Sequence, residues 1–268
     1  MKKSYFAYPY FVWMILFIVA PLLLVVYFGF TNDGSFTLEY FAKFFQPVYL
    51  KVFWRSLLLA LICTGGCLVI GYPLAAILAS KDFAQKKALM LLCVLPMWMN
   101  MLLRTYAWMT ILEKNGILNT LLSFFGLGPY QFLYTSGAVV VGMIYNFLPF
   151  MVLPIYTSLL KIDKNVIEAA EDLGANSFTV FRKIIFPLSI PGVISGIVMV
   201  FMPAISTFVI SRLLGGGQFT LIGNLVEQQF LFVGDWGFGS ALSIIMMALI
   251  LLSMIFMSRT GNGEVSLL

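Results

Sequence analysis

Eight of the chain's 27 charged residues (16 basic and 11 acidic) crowd into one short segment: Lys161, Asp163, Lys164, Glu168, Glu171, Asp172, Arg182 and Lys183. Bond-making chemistry is a poor fit, because the sequence holds no histidine, no glycine-flanked serine nucleophile and no metal-ligand cluster. The spacing instead reads as local structure. Asn165 followed by Glu168 resembles an N-cap with its N3 carboxylate, and Gly174 suits the left-handed position that ends a helix. The predicted helix, Val166 to Leu173, carries Val166, Ala169, Ala170 and Leu173 on one apolar face and turns Glu168, Glu171 and Asp172 elsewhere. Ser177 would cap a second helix with Phe178, Phe181 and Ile185 at helical spacing, Arg182 and Lys183 near its end, and Pro187 leading out. The chemistry is therefore recognition: two small amphipathic helices joined at a glycine, either docked to a partner or lying on a membrane surface.

The elements that carry this loop belong to a membrane. The 268 residues are 61% hydrophobic and 10% charged, with a mean hydropathy of +0.99, too apolar for a soluble domain of this size. Six runs are long enough to cross a bilayer: Phe11 to Phe30, Leu57 to Ala79, Ala88 to Leu112, Gly137 to Leu160, Leu188 to Ser211 and Ser240 to Met257. Residues 1–268 thus read as one all-α polytopic domain, with the charged loop at about 161–187 between spans four and five. The first run is too long for a cleavable signal and lacks an A-x-A site, so it is a retained span. Ten bases (Lys2, Lys3, Lys81, Lys86, Lys87, Lys161, Lys164, Arg182, Lys183 and Arg259) fall on the side of the amino terminus, which places both termini and the charged loop in the cytoplasm. Cys63, Cys67 and Cys93 lie inside apolar runs and read as small core residues. Pro73, Pro96, Pro149, Pro154 and Pro203 sit within spans, where each frees a carbonyl four residues back, that of Met199 for Pro203.

Glu168-Ala169-Ala170, then Gly174, then Ile184, Ile185 and Pro187 resemble the EAA motif of ABC importer permeases, with Phe186 where leucine is usual. The likeness extends over most of the chain: "LPMWMNMLLRTYAWMTILEKNGILNTLL", "YNFLPFMVLPIYTSLLKID", "MPAISTFVISRLLGGGQFTLIGNLVEQQF" and "DWGFGSA" are similar to the PotB-type permeases of spermidine/putrescine importers, Gly237 replacing a proline frequent after Asp-Trp. The resemblance implies the type I importer permease fold, in a bacterial plasma membrane, with Glu168, Ala169, Ala170, Gly174, Ile184 and Pro187 coupling to ATPase subunits. The implied partners are two copies of a cytoplasmic ABC ATPase, a second, PotC-type permease and an external polyamine-binding protein, with no nucleic acid. ATP and Mg belong to the ATPase, and this chain would bind no cofactor.

A polycation in transit needs carboxylates, carbonyls or aromatic faces. Trp98, Asn100, Tyr106, Trp108, Tyr145 and Asn146 in spans three and four are candidates to line an outer cavity, joined by Glu227, Asp235 and Trp236 from the last outer loop. Aromatics at a bilayer interface or in helix packing would look the same. Arg104 is the ionisable residue well inside an apolar run, predicted to form a structural or gating ion pair with Glu227, Asp235 or an acid of a second chain; Pro203 is the other candidate gate. No G-x-x-x-x-G-K-[ST] phosphate cradle occurs, so the chain is not the ATPase. An ion-coupled carrier for small organic cations is the alternative, weakened by the lack of an intramembrane carboxylate or histidine.

Overall fold

In a computed structural model, residues 8–32, 34–80 and 86–260 are described. Lys2, Lys3, Lys81, Asp33 and the tail beyond Thr260 lie outside them, as do the side chains of Lys86, Lys87 and Arg259.

Five helices are long and apolar enough to cross a membrane unbroken: α1 (Tyr8–Phe30), α3 (Pro47–Ala79), α7 (Ser136–Leu160), α9 (Ser177–Ser206) and α12 (Trp236–Thr260). The third predicted span is different. It is a pair, α4 (Lys86–Trp98) and α5 (Met101–Leu112), with a bend of 101° between Leu89–Trp98 and the stretch Met101–Ser123. The break has a local cause: the Asn100 side chain accepts a hydrogen bond from the Leu102 N–H at 2.8 Å and so starts a fresh helix inside an apolar run. Between the spans lie a two-residue hairpin (β1, Thr31–Asn32; β2, Ser35–Phe36), α2 (Glu39–Phe44), α6 (Ile117–Ser123), α8 (Lys164–Asp172), α10 (Val209–Leu214) and α11 (Ile222–Gln228).

The centre is a three-helix unit in which α7 packs on both α3 and α9, and α3 packs on α9. Small residues let the backbones close: Gly196 of α9 lies against Met151, and Cys63 and Cys67 of α3 are wholly buried, the Cys67 thiol facing the Ile144 carbonyl. Tyr72 of α3 bonds Ser189 of α9, hydroxyl to hydroxyl, at 2.9 Å. The last half of α1 packs on α12, while its flanks remain exposed and apolar all round, as suits a helix in lipid. The extra length of α3 brings Lys51 and Arg55 into a helix that the sequence reading begins at Leu57.

Span five also departs from its predicted range. It starts at Ser177, so the second small helix is not separate: it runs through a π-turn at Phe181–Ile185 straight into the span. The Phe186 N–H bonds the Phe181 carbonyl, which accommodates Pro187 in the following turn without breaking the axis. At its other end α9 stops at Ser206, where Thr207 turns extended, and α10 begins as a short helix folded back on α5 and α7.

Candidate functional site: a docking loop and a cleft at opposite ends

Because α9 crosses the bundle, the α7–α9 loop and the α9–α12 loop lie at opposite ends. The first holds α8. Its caps are set one or two residues earlier than the sequence reading has them. Asp163, not Asn165, caps α8, accepting the Asn165 N–H at 3.0 Å, and Asn176, not Ser177, caps α9, accepting the Thr179 N–H at 2.8 Å. Both caps are Asx residues with extended backbones, whose side-chain oxygen reaches the N–H two or three residues on. Gly174 adopts φ +82°, as its position predicts. The Gly174 N–H bonds the Glu171 carbonyl at 2.9 Å and the Ala175 N–H bonds the Ala170 carbonyl at 3.0 Å, a complete Schellman turn. One carbonyl of the Ala169-Ala170 pair is thereby tied to the bend itself.

The face this turn presents is apolar and unburied. Val166 and Ala169 are exposed, Leu173 is 90% exposed and Phe178 69% exposed. Glu168, Glu171 and Asp172 are also exposed. Ile184 is half-buried and Pro187 exposed at the root of the span.

The far end is built by α10, α11 and the start of α12. Asn224 organises it: its Nδ2 donates to the Phe208 carbonyl at 2.8 Å, and its Oδ1 accepts from the Ser211 hydroxyl at 2.6 Å. Ser56 of α3 accepts the buried Ile222 N–H at 2.8 Å. Gly223 lets α11 press on the end of α9, since a Cβ there would sit 3.0 Å from the Thr207 carbonyl oxygen and closer still to that of Ser206. Asn224, Ser211, Ser56 and Gly223 stand outside the predicted site. The sequence holds no signal for Ser56, whereas Asn224 and Gly223 follow the glycine-rich turn that already marks a close-packed loop.

Both candidate acids are already paired. Glu227 bonds Arg212 at 2.9 Å, and Asp235 bonds Lys43 of α2 at 3.0 Å while accepting the Phe238 N–H at 2.9 Å. The Lys43 ammonium also lies 4.3 Å from the Phe238 ring centroid. Asp235 therefore clamps α2 to the head of α12. Arg104 is correspondingly not their partner: it is 9% exposed, and its Nε and Nη1 have no hydrogen-bond partner among the described residues. The predicted ion pair within the chain gives way because nearer bases hold both carboxylates.

The predicted aromatic cluster is only partly assembled. Trp108 and Tyr145 meet edge to face at 5.5 Å, and buried Asn146 donates to the Gly142 carbonyl at 2.8 Å, leaving its Oδ1 without a partner. Trp98 and Tyr106 are exposed, Asn100 is engaged as a cap, and Trp236 packs on Phe28 and Phe230. Pro203 lies in the last turn of α9, where the Ser206 hydroxyl bonds the Met202 carbonyl at 3.0 Å. Gly237 faces the Tyr40 ring so closely that any side chain would collide with it.

The polar cleft beside Asn224 has a volume of about 360 Å³ and is walled by Arg212, Phe219, Asn224, Glu227, Gln228 and Phe232. An apolar groove of about 600 Å³, bounded by Phe230, Met246 and Met247 among others, shares Glu227 with it. Such a surface can hold a cation through a carboxylate, the Gln228 amide oxygen and ring faces.

Residues 71–260 match the family described as binding-protein-dependent transport system inner membrane component. The chain is 40% identical over 267 residues to the spermidine/putrescine transport system permease protein PotB of Escherichia coli (strain K12), covering 95% of this chain and 97% of that one. It is also 40% identical over 269 residues to PotB of Haemophilus influenzae, with 96% and 94% covered. Among solved structures, a bacterial alginate ABC transporter in complex with an alginate-bound periplasmic protein superposes with a TM-score of 0.80 at 18% identity, covering 98% of this chain and 96% of that chain. The MetNI methionine ABC transporter gives 0.60 at 16% identity, covering 80% and 94%. The five long apolar helices with the bent pair between them, the capped loop between α7 and α9, and these relatives lead to one conclusion: the chain belongs to the binding-protein-dependent transport system inner membrane component family and has the type I ABC importer permease fold.

Proposed function

We propose that this chain is one permease subunit of an ATP-driven importer of polyamines of the spermidine and putrescine class, taking its cargo from an external binding protein. A second, PotC-type permease completes the path, and two copies of a cytoplasmic ATPase use ATP and Mg. Both termini and α8 face the cytoplasm. The observation that carries the reading is the α8 turn: an apolar face, with Leu173 90% exposed, held out from the spans by two caps and a Schellman bend. Exposed leucine beside three carboxylates suits a protein groove better than water alone. PotB relatives named for spermidine/putrescine transport, matched over 95% of this chain, support the substrate class. Glu168, Ala169, Ala170, Gly174, Ile184 and Pro187 form and root the docking element. Trp98, Tyr106, Trp108, Tyr145 and Asn146 contribute to the path, Asn100 fixes the bend beside it, and Trp236 holds the outer rim.

Coupling follows from differential contact. ATP binding draws the two ATPases together, α8 moves with the subunit that grips it, and α9, continuous with the loop, tilts the wall of the cavity. The test is uptake of labelled spermidine into proteoliposomes containing the full importer and its binding protein. Uptake that needs ATP and is lost when Leu173→Asp spoils the docking face supports the reading. Uptake driven by an ion gradient without the ATPase overturns it.

A further inference from the structure

The Arg212–Glu227 pair closes the polar cleft at the end of the bundle opposite α8. Its geometry is that of a cation site already filled. The guanidinium meets the Glu227 carboxylate at 2.9 Å and lies 5.6 Å from the Phe232 ring centroid, so one positive group satisfies an acid and an aromatic face together. Gln228 adds an exposed amide to the same cleft, whose back wall is the internally bonded Asn224. The two partners differ in how firmly they are held. The Glu227 side chain is 16% exposed and springs from α11, which is fixed by the Asn224 bonds and by Ser56, whereas the Arg212 side chain is 51% exposed at the end of the short α10. An anchored acid paired with a solvent-exposed base is a site from which the base can be exchanged.

We infer that Arg212 is a stand-in for the cargo: a primary ammonium of a polyamine displaces the guanidinium from Glu227, and Arg212 returns when the ammonium leaves. The inference rests on the polyamine reading above and names the residues that would set its affinity. The exchange swaps one monovalent cation for another on the same carboxylate, so Glu227 never remains bare at low dielectric, a state that would cost far more than either pair. It also limits trapping, because the returning arginine competes with the bound amine. Glu227 borders both the polar cleft and the apolar groove beside Phe230 and Met247. An ammonium on Glu227 can therefore leave its methylene chain against apolar side chains, matching the alternation of charge and hydrocarbon in a polyamine.

The experiment is equilibrium binding of labelled spermidine to the purified permease–ATPase assembly without its binding protein, comparing wild type, Arg212→Gln and Glu227→Gln. Removing the resident competitor should tighten binding and removing the acid should weaken it, each by about tenfold, the scale of one charged hydrogen bond. Shifts in opposite directions support the exchange. A purely structural pair moves both variants the same way, or neither, and overturns it. Uptake by the unmodified importer with its binding protein is measured in parallel: absence of polyamine uptake there defeats the functional reading, whereas normal uptake with parallel shifts defeats the exchange alone. Arg212→Lys, which keeps a competing cation, should bind close to wild type; tightening as large as that of Arg212→Gln would overturn the competition.

Discussion

Substitution of Gly174 separates backbone geometry from surface contact at the docking loop. Its φ of +82° lies in the left-handed region, and an added Cβ would meet nothing within 4 Å. Steric collision thus contributes nothing, and the cost is the conformational one alone. For alanine that cost is about 1 kcal/mol, and for β-branched valine about 2–3 kcal/mol, while asparagine, which visits the region more readily, should cost a few tenths. At about 1.4 kcal/mol per tenfold, the bent loop loses roughly fivefold in population relative to open forms with alanine and thirtyfold or more with valine. The Schellman bonds from Gly174 and Ala175 to Glu171 and Ala170 fail together in those open forms, so α8 loses its fixed angle to α9. The assay is the number of ATP molecules hydrolysed per polyamine transported in proteoliposomes, with the yield of assembled importer as control. That ratio should rise in the order glycine, asparagine, alanine, valine while assembly stays constant. A valine variant coupled as tightly as wild type would refute the argument, and an asparagine variant as impaired as valine would show that the side chain, not the backbone, is at fault.

Two further substitutions probe the far end and the interior. Asp235→Ala removes both the Lys43 pair and the Phe238 cap and should cost about 1–3 kcal/mol, whereas Asp235→Asn keeps most of the cap and should lose less than half of that; thermal unfolding of the purified chain reads the order, and an asparagine variant equal to wild type assigns the whole effect to the cap. Arg104→Met should leave the midpoint of the isolated chain unchanged or raised, because a buried charge with two unpartnered nitrogens is removed. The same change should lower the midpoint of the assembled importer if, as proposed, a second permease supplies the acceptors there; a fall in the isolated chain would refute that role.

The fold was legible wherever it depended on runs of apolar residues, and less so wherever a single side chain set a boundary. The apolar run identifies Ala88 to Leu112 as one crossing, but the 101° bend depends on one amide of Asn100 capturing one N–H, which hydropathy averages away. The docking loop was readable because its signals are local: an Asx cap, an apolar face and a glycine in the left-handed position, with errors of one or two residues because neighbouring Asx and serine residues compete for each cap. The ion pairs were not. Lys43 and Asp235 are 192 positions apart, and Ser56 and Ile222 are 166, so only the packing of α2 and α3 against the far end brings them together. Arg104 was expected to take an acid that the fold gives to Arg212 and Lys43, a competition settled by distance and invisible in residue type.

The unbroken run from Ser177 to Ser206 makes the docking end and the cleft end two tips of one rod. At about 1.5 Å per residue, its 30 residues span about 45 Å. A tilt of about 5° imposed near Ser177 then sweeps the Ser206 tip through roughly 4 Å, more than a hydrogen-bond length, given that length and a pivot at the opposite tip. Gly223 rests directly on that tip, and Glu227 lies one helical turn beyond it. A displacement imposed on the loop at one end of the bundle would therefore arrive at the other as a change in the shape of the cleft, with no relay of intermediate loops required.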